Sequence, residues 1–139
     1  MKVLWYDDGM KRTVVLCGSK RFKPQIRKFA SGLRELGVVV LEPHLNTDAD
    51  IWDALPDEFE EYALLGIAYD HFQKIRVADV VFFYNKDGYM GNSCTLELGF
   101  ATACSKMIYA LEPDGEEVVR GGLIRGLAKT PGELVEYLK

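Results

Sequence analysis

A single acidic residue, Glu97, stands in the segment GYMGNSCTLELGFATACS, which runs from Gly88 to Ser105 and carries no other charge. The segment begins with turn residues and continues as a helix. The residues three and four positions from Glu97 are all small or apolar: Ser93, Cys94, Phe100 and Ala101. A carboxylate in such surroundings is either paired with a partner from elsewhere in the fold or kept for chemistry. Glu97 is therefore the first candidate for a catalytic group.

The segment GSKRFKP has the composition of an anion-binding turn. Gly18 lets a ligand come close to the backbone, and Ser19 supplies a hydroxyl group. Three side chains supply positive charge: Lys20, Arg21 and Lys23. A predicted helix follows, and the N–H groups of its first turn are free to bind phosphate or carboxylate. A solvated basic turn is an equally good interpretation of these residues alone. The segment matches neither the dinucleotide nor the nucleoside-triphosphate loop pattern, so we expect no cofactor.

His71 and Asp79 lie just before a predicted strand, in the segment HFQKIRVAD. A single histidine on a helix is more often a surface or core residue than a catalyst, and Asp79 could cap a turn. No carboxylate or thiol lies at ligand spacing around His44 and His71, so the sequence predicts no metal site. His44 receives no role.

The composition is that of one soluble globular domain spanning residues 1–139, with 48% hydrophobic and 27% charged residues. The net charge of -4 argues against binding of polymeric nucleic acid. No apolar run reaches membrane-spanning length and the first residues lack a signal-peptide core, which predicts a cytoplasmic protein. Three cysteines without CxxC spacing are interpreted as reduced, small buried hydrophobes: Cys17, Cys94 and Cys104.

Strands and helices alternate along the chain. Apolar runs predict strands at Thr13 to Cys17, VVVLEP, Val80 to Tyr84 and MIYAL. Helical periodicity predicts helices at KPQIRKFASGLRELG, at DEFEEYALLGIAYDHFQKIRVAD, around Glu97 and from Pro131, where Thr130 and Glu133 fit a capping box. A further edge strand is predicted in VLWYDDGM. The alternation indicates an α/β sandwich around a mainly parallel sheet of about five strands.

Ligands of such sheets bind at the carboxyl ends of the strands. Three predicted loops meet there: Gly18 to Lys23, Glu42 to Asn46 and Asn85 to Ser93. Glu97 is predicted in the first turn of the helix that follows the third loop, with its side chain in the crevice.

Three segments in this order resemble the nucleoside 2-deoxyribosyltransferase superfamily, which includes 2'-deoxynucleoside 5'-phosphate N-hydrolases. They are CGSKRF, HFQKIRVADVVFFYNKDGYMGNS and ELGFATA, and the resemblance runs from about Thr13 to Leu111. It implies a Rossmann-like (flavodoxin-like) three-layer fold and cleavage of the N-glycosidic bond of a nucleoside or nucleotide. It also implies that Glu97 attacks the anomeric carbon and forms a glycosyl-enzyme intermediate, for which an unshared carboxylate is suited.

The same resemblance assigns the other site residues. Gly18, Ser19 and Arg21 correspond to the loop that holds a 5'-phosphate, and Lys20 is counted with them for its charge. Ser93 is placed to touch phosphate or sugar. His71 falls where the transferases carry an aspartate near the base and is expected to donate a proton to it. Asp79 matches an acidic position that recurs in the family at the start of the third strand. We include it among the substrate-binding residues, although we expect its role to be structural.

Two departures from the family pattern bear on activity. A tyrosine that helps to position the nucleophile is absent from the first strand, where Val15 and Leu16 stand. Tyr84 and Tyr89 are the candidate substitutes. Gly91 replaces a second acidic residue near the base and is counted, with Tyr89, among the substrate-binding positions.

Two classes of function fit this pattern. The first is an N-glycosidase or deoxyribosyltransferase acting through Glu97, with hydrolysis and transfer both open and the basic loop favouring a nucleotide hydrolase. The second is a non-catalytic nucleotide-binding sensor, which the missing tyrosine permits.

The segment EFEEYALLGIAYDHF has too wide an apolar arc for a helix that covers one face of a small sheet. This predicts a homodimer or larger homo-oligomer, as the family resemblance also implies. The alternative is that the loop from Glu42 to Pro56 covers the excess surface with its apolar residues: Leu45, Ile51, Trp52 and Leu55.

Overall fold

The computed structural model describes residues 13–44 and 54–139. Five parallel strands form one sheet in the order β2-β1-β3-β4-β5: β1 (Thr13–Gly18), β2 (Val39–Leu41), β3 (Val80–Tyr84), β4 (Met107–Ala110) and β5 (Gly126–Leu127). The helices are α1 (Lys23–Glu35), α2 (Asp57–Val77), α3 (Asn92–Ala103), α4 (Val118–Leu123) and α5 (Pro131–Leu138). The predicted Rossmann-like sandwich is confirmed. None of the described helices combines the length and the apolarity that crossing a membrane requires.

The central strands are buried on both faces, which explains why they are continuous apolar runs. Alternate residues of β1 point to opposite layers. Leu16 packs with the apolar side chains of α1 and α5, among them Ile26 and Leu134. Cys17 instead packs in the layer of α2 and α3, with residues such as Leu98. The last residue of β1 before Gly18 therefore faces the helix that carries Glu97.

The ends of two helices follow from local chemistry. Gly37, at a φ of 85°, lets the chain leave α1 in a left-handed conformation. At α5, the Thr130 side chain accepts a hydrogen bond from the Glu133 N–H at 3.2 Å. The Glu133 carboxylate accepts from the N–H of Lys129 rather than of Thr130, so the capping box is displaced by one residue.

Three predictions of structure need comment. Helix α3 begins at Asn92, so Glu97 lies in its second turn and not in the first. Helix α4 and strand β5 are too short to be seen as periodic segments and were not predicted. The edge strand expected in residues 3–10 lies outside the described residues.

The loop that follows β3 is fixed against the segment after β4. The Asn85 amide group donates to the Glu112 carbonyl at 2.8 Å and accepts from the Glu112 N–H at 3.0 Å. Gly88 has a φ of 73°, and a Cβ atom there would lie 2.8 Å from the Gly115 nitrogen and 2.9 Å from the Pro113 oxygen. Only glycine satisfies both conditions without moving backbone. These contacts set the path by which the chain enters α3.

We expect Gly88→Ala to lower the free energy of unfolding by about 2 kcal/mol, because alanine disfavours a positive φ and its methyl group would overlap with backbone. Gly99→Ala is the matched control. Gly99 lies exposed in α3 with no atom near its added Cβ, so alanine there should raise stability by about 0.5–1 kcal/mol. Urea denaturation measures both. Equal stability of the two variants would contradict the fixed loop.

Candidate active site

A cavity of about 530 Å³ opens at the carboxyl edge of the sheet, within the size range of small-molecule sites. It is lined by the turn after β1, by residues 43–44 after β2, by one face of α2 and by the start of α3. Residues from all three predicted loops therefore line the cavity. Of the loop after β2, Asn46 and its neighbour Leu45 lie outside the described residues. His44, which received no role from the sequence, also lines the cavity.

Glu97 projects into this cavity from α3, and its side chain is only 16% exposed. Burial raises the pKa of the Glu97 carboxyl to about 7, against the smaller lowering effect of hydrogen bonds from the Cys17 and Cys94 thiols. Within the described part of the chain, no lysine or arginine forms an ion pair with it. The carboxyl group is therefore held by weak donors and left without a compensating cation.

His71 lies beside Glu97, with its Nε2 atom 3.7 Å from a Glu97 carboxyl oxygen. Burial, followed by the charge of Lys74, lowers the pKa of His71 to about 4. The imidazole is thus neutral at pH 7, and the contact with Glu97 is not an ion pair despite its short distance. A neutral imidazole is a poor acid, so the geometry favours a contact with the nucleophile over the expected proton donation to the base.

Two cysteines contact the same carboxyl group. Cys17 Sγ lies 3.2 Å from His71 Nε2 in the buried interior, and Cys94 lies one helical turn before Glu97. Burial, and then the nearby Glu97, raise the pKa of both thiols. Cys17 and Cys94 are free and buried in the apolar core, as predicted, and they also have polar contacts at the site. Cys104 is only partly buried, which corrects the prediction for that residue.

Among the described residues, one set of side chains at or beside the cavity could bind a metal ion. The donor atoms of Cys17, His71 and Glu97 all lie within 4.8 Å of one another. This corrects the prediction of no metal ligands, which rested only on residues close to the histidines along the chain. The fold joins residues from β1, α2 and α3 that are far apart in sequence.

Part of the predicted anion-binding turn lines the same cavity as Glu97. Gly18, Ser19 and Lys20 line the cavity. The Arg21 guanidinium lies 3.6 Å from the centre of the Tyr89 ring, which also lines it. Ser19 uses its hydroxyl in part to accept from the Arg21 N–H at 3.3 Å. The basic side chain is therefore held at the cavity by a stacked aromatic ring.

The amino end of α3 faces the same space. Gly91 caps the helix without a side-chain hydrogen bond, and Gly91, Asn92 and Ser93 line the cavity. The first N–H groups of α3 and the positive end of its dipole are thus available to a bound anion. Ser93 therefore lies at the cavity, and its contact with phosphate or sugar stays a prediction.

Two predicted residues lie elsewhere. Asp79 stands at the amino end of β3, where its carboxylate accepts from the Thr13 N–H at 3.0 Å. It lies at the opposite edge of the sheet from the cavity, which corrects its inclusion among the substrate-binding residues and supports its expected structural role.

Tyr84 packs with Phe22 and Phe29 on the other face of the sheet. Of the two tyrosines considered as substitutes for the missing one, Tyr89 alone lines the cavity.

Arg120 holds the start of α3 and was not found from the sequence. Its guanidinium donates to the Met90 carbonyl at 3.2 Å and to the Thr95 hydroxyl at 3.1 Å. Asp114 fixes the same guanidinium by hydrogen bonds of 2.8 and 3.1 Å. Both residues lie beyond the recognisable motifs, in a stretch without clear periodicity, and no sequence signal linked them to the site.

A second cavity, of about 440 Å³, lies near α4 and β5. Its acidic groups already have structural partners: Asp114 binds Arg120, and Glu117 accepts from the Arg120 N–H at 2.8 Å. The reactive groups are therefore those of the first cavity.

No protein-family model matches this chain, and no curated protein matches it either. Solved structures do. A 2-deoxyribosyltransferase from Bacillus psychrosaccharolyticus superposes with a TM-score of 0.68 at 17% identity, covering 90% of this chain and 91% of that one. This chain shares the fold of that transferase. A conserved protein from Enterococcus faecalis V583 also matches, with a TM-score of 0.65 at 14% identity, covering 92% and 97% of the two chains. The likeness supports, at the level of the fold, the resemblance found in the motifs.

Proposed function

We propose that this protein cleaves the N-glycosidic bond of a 2'-deoxynucleoside 5'-monophosphate or a nucleoside, with Glu97 as nucleophile. The observation that carries the proposal is the buried Glu97 carboxyl group at the wall of a nucleotide-sized cavity, with no lysine or arginine of residues 13–44 and 54–139 paired with it. The shared fold with a 2-deoxyribosyltransferase supports the same reaction class.

The chemistry requires two displacements at the anomeric carbon. In the first, a Glu97 oxygen forms a bond to that carbon, and the base leaves with the bonding electron pair and takes a proton from solvent. In the second, water or another base displaces Glu97 and restores its carboxylate. Hydrolysis and transfer differ only in this second acceptor, and the basic wall of the cavity leads us to favour hydrolysis of a monophosphate.

The neighbouring groups have assigned parts in this scheme. His71, neutral and 3.7 Å from Glu97, orients the carboxyl group. The turn after β1 and the amino end of α3 hold the 5'-phosphate from two sides, with Arg21 as its charged contact.

A nucleotide-binding sensor is the second candidate, and one observation favours it. The raised pKa of Glu97, about 7, leaves a large share of the carboxyl protonated at neutral pH. A protonated carboxyl group is a poor nucleophile.

Base release from a panel of deoxynucleoside monophosphates and nucleosides distinguishes the two functions. The enzyme is expected to release free base from at least one monophosphate, in proportion to time and protein concentration. A rise in melting temperature with a ligand that is never cleaved would instead identify the sensor.

We further propose that the protein works as a homodimer through α2. Four large side chains on this helix are 55–78% exposed: Phe59, Tyr62, Leu65 and Tyr69. Next to them, Leu64, Ile67 and Ala68 of the same helix line the cavity, so a second copy packed there would border its mouth. Leu55 of the loop considered as an alternative cover is partly exposed, while its Ile51 and Trp52 lie outside the described residues.

Light scattering at micromolar concentration should give about twice the 15.7 kDa mass of one chain. Tyr62→Asp is expected to yield monomers, because it places a charge within the apolar contact. Lys28→Asp, an exposed position on α1, is the control and should remain dimeric. A monomeric wild-type protein would contradict the proposal.

A further inference from the structure

Three side chains of different chemistry meet beside the cavity. Cys17 comes from the end of β1, His71 from α2 and Glu97 from α3, and their donor atoms lie within 4.8 Å of one another. A thiolate, an imidazole and a carboxylate are the three ligand types that zinc takes in proteins. Cys17 is fully buried, whereas His71 and Glu97 line the cavity, so the cluster has the donor set of a zinc site and two members that border the cavity.

We propose that Cys17, His71 and Glu97 form a binding site for a divalent ion of the zinc class. In a tetrahedral zinc site, ordinary bond lengths separate sulfur and nitrogen ligands by about 3.6 Å, and nitrogen and oxygen ligands by about 3.3 Å. The corresponding distances here are 3.2 Å from Cys17 Sγ to His71 Nε2 and 3.7 Å from His71 Nε2 to Glu97. The third pair, Cys17 Sγ and a Glu97 oxygen, lies within 4.8 Å, so the side chains must draw closer together for all three donors to bind one ion.

The surroundings suit such an ion. The charge of Lys74 acts on His71, but its ammonium group is 3.0 Å from both the Asp70 carboxylate and the Glu42 carbonyl and is partly compensated by them. Three protein ligands leave a fourth position, which opens to the cavity and can take water. Binding displaces the Cys17 thiol proton to solvent, so uptake of the metal releases at least one proton.

The site shares its carboxylate with the proposed reaction. A metal ion bound to one Glu97 oxygen withdraws electron density from the carboxylate that would attack the anomeric carbon. Metal binding therefore opposes base release, so micromolar Zn²⁺ should inhibit turnover. This consequence rests on the proposed function, whereas the metal site itself does not.

Co²⁺ is the probe of choice, because its bond to a thiolate gives a charge-transfer band absent from cobalt bound to nitrogen and oxygen alone. The wild-type chain should bind one Co²⁺ with this band, and Zn²⁺ should abolish it. Cys17→Ser is expected to lose the band, and His71→Ala to weaken binding at least about tenfold. The control Cys104→Ser, which removes a partly exposed thiol elsewhere, should keep it.

Melting curves establish that each variant is folded. If Cys17→Ser does not fold, Glu97→Gln replaces it and should keep the band but require a higher Co²⁺ concentration. Absence of a saturable band from wild-type protein, or its survival in folded Cys17→Ser, would overturn the metal site. Base release in the presence of a chelator is measured in parallel. Cobalt binding without base release would refute the proposed function alone, and base release without cobalt binding would refute the metal site alone.

Discussion

Glu97→Gln is expected to lower the rate of base release by at least about a thousandfold while leaving the fold intact. The amide keeps the size of the side chain and its contacts but cannot form a stable ester with a sugar. Because burial already disfavours the charged carboxylate, the neutral amide should not lower the melting temperature. Steady-state release of base and thermal melting are measured on the same preparation.

Glu136→Gln is the matched control, since Glu136 is an exposed residue of α5 that pairs with Lys139 at 3.0 Å on the surface. Its rate should equal that of the wild-type protein. If Glu97→Gln keeps most of its activity, the nucleophile is another group. If it loses several degrees of melting temperature without a specific kinetic defect, Glu97 is an element of the fold.

Arg21→Ala should weaken binding of a 5'-monophosphate by roughly 10- to 100-fold and leave binding of the matching nucleoside nearly unchanged. The reason is that a guanidinium can donate two hydrogen bonds to phosphate, whereas the nucleoside lacks the group. Tyr89, which lies against Arg21 at 3.6 Å, holds the guanidinium at the cavity before substrate arrives. Inhibition constants for the two ligands measure the effect.

Arg27→Ala controls for the loss of one positive charge. Neither arginine is a lining residue, but Arg21 contacts the lining residue Tyr89, whereas Arg27 is an exposed residue of α1. It should change neither constant by more than about twofold. Equal weakening of both ligands by Arg21→Ala would mean that Arg21 does not recognise phosphate. The basic turn would then be the solvated surface that its composition alone allows.

The fold was predictable wherever burial imposes a continuous pattern. Strand β3 was predicted from Val80 to Tyr84, the bounds that it has, because both of its faces are covered. Helix α1 was predictable from its proline, its apolar stripe and Gly37. Helix α4 and strand β5 have six and two residues, too few for a period to appear, and hydrogen bonds such as those of Arg120 determine their position.

The sequence predicted those parts of the site that come directly after a strand along the chain. The turn after β1 and the start of α3 meet because parallel strands end at one edge, so their convergence on Glu97 follows from the fold class. The immediate environment of Glu97 was not predictable. Cys17 and His71 are 54 positions apart, and only the packing of α2 against the sheet brings them to 3.2 Å. The prediction that Asp79 belongs to the substrate site was wrong for a related reason. Asp79 precedes strand β3 and so lies at the amino edge of the sheet, whereas the cavity lies at the carboxyl edge.

The central claim is that Glu97 forms a covalent bond with the sugar, and mass spectrometry tests it most directly. Wild-type protein is mixed with a monophosphate that it cleaves, quenched in acid during turnover and digested. The account predicts that the peptide containing Glu97 gains the mass of the deoxyribose phosphate, less water, and that the Glu97→Gln protein shows no such adduct. Two results would contradict it. In the first, wild-type protein releases base but shows no adduct on that peptide at any quench time. In the second, the adduct lies on a different residue.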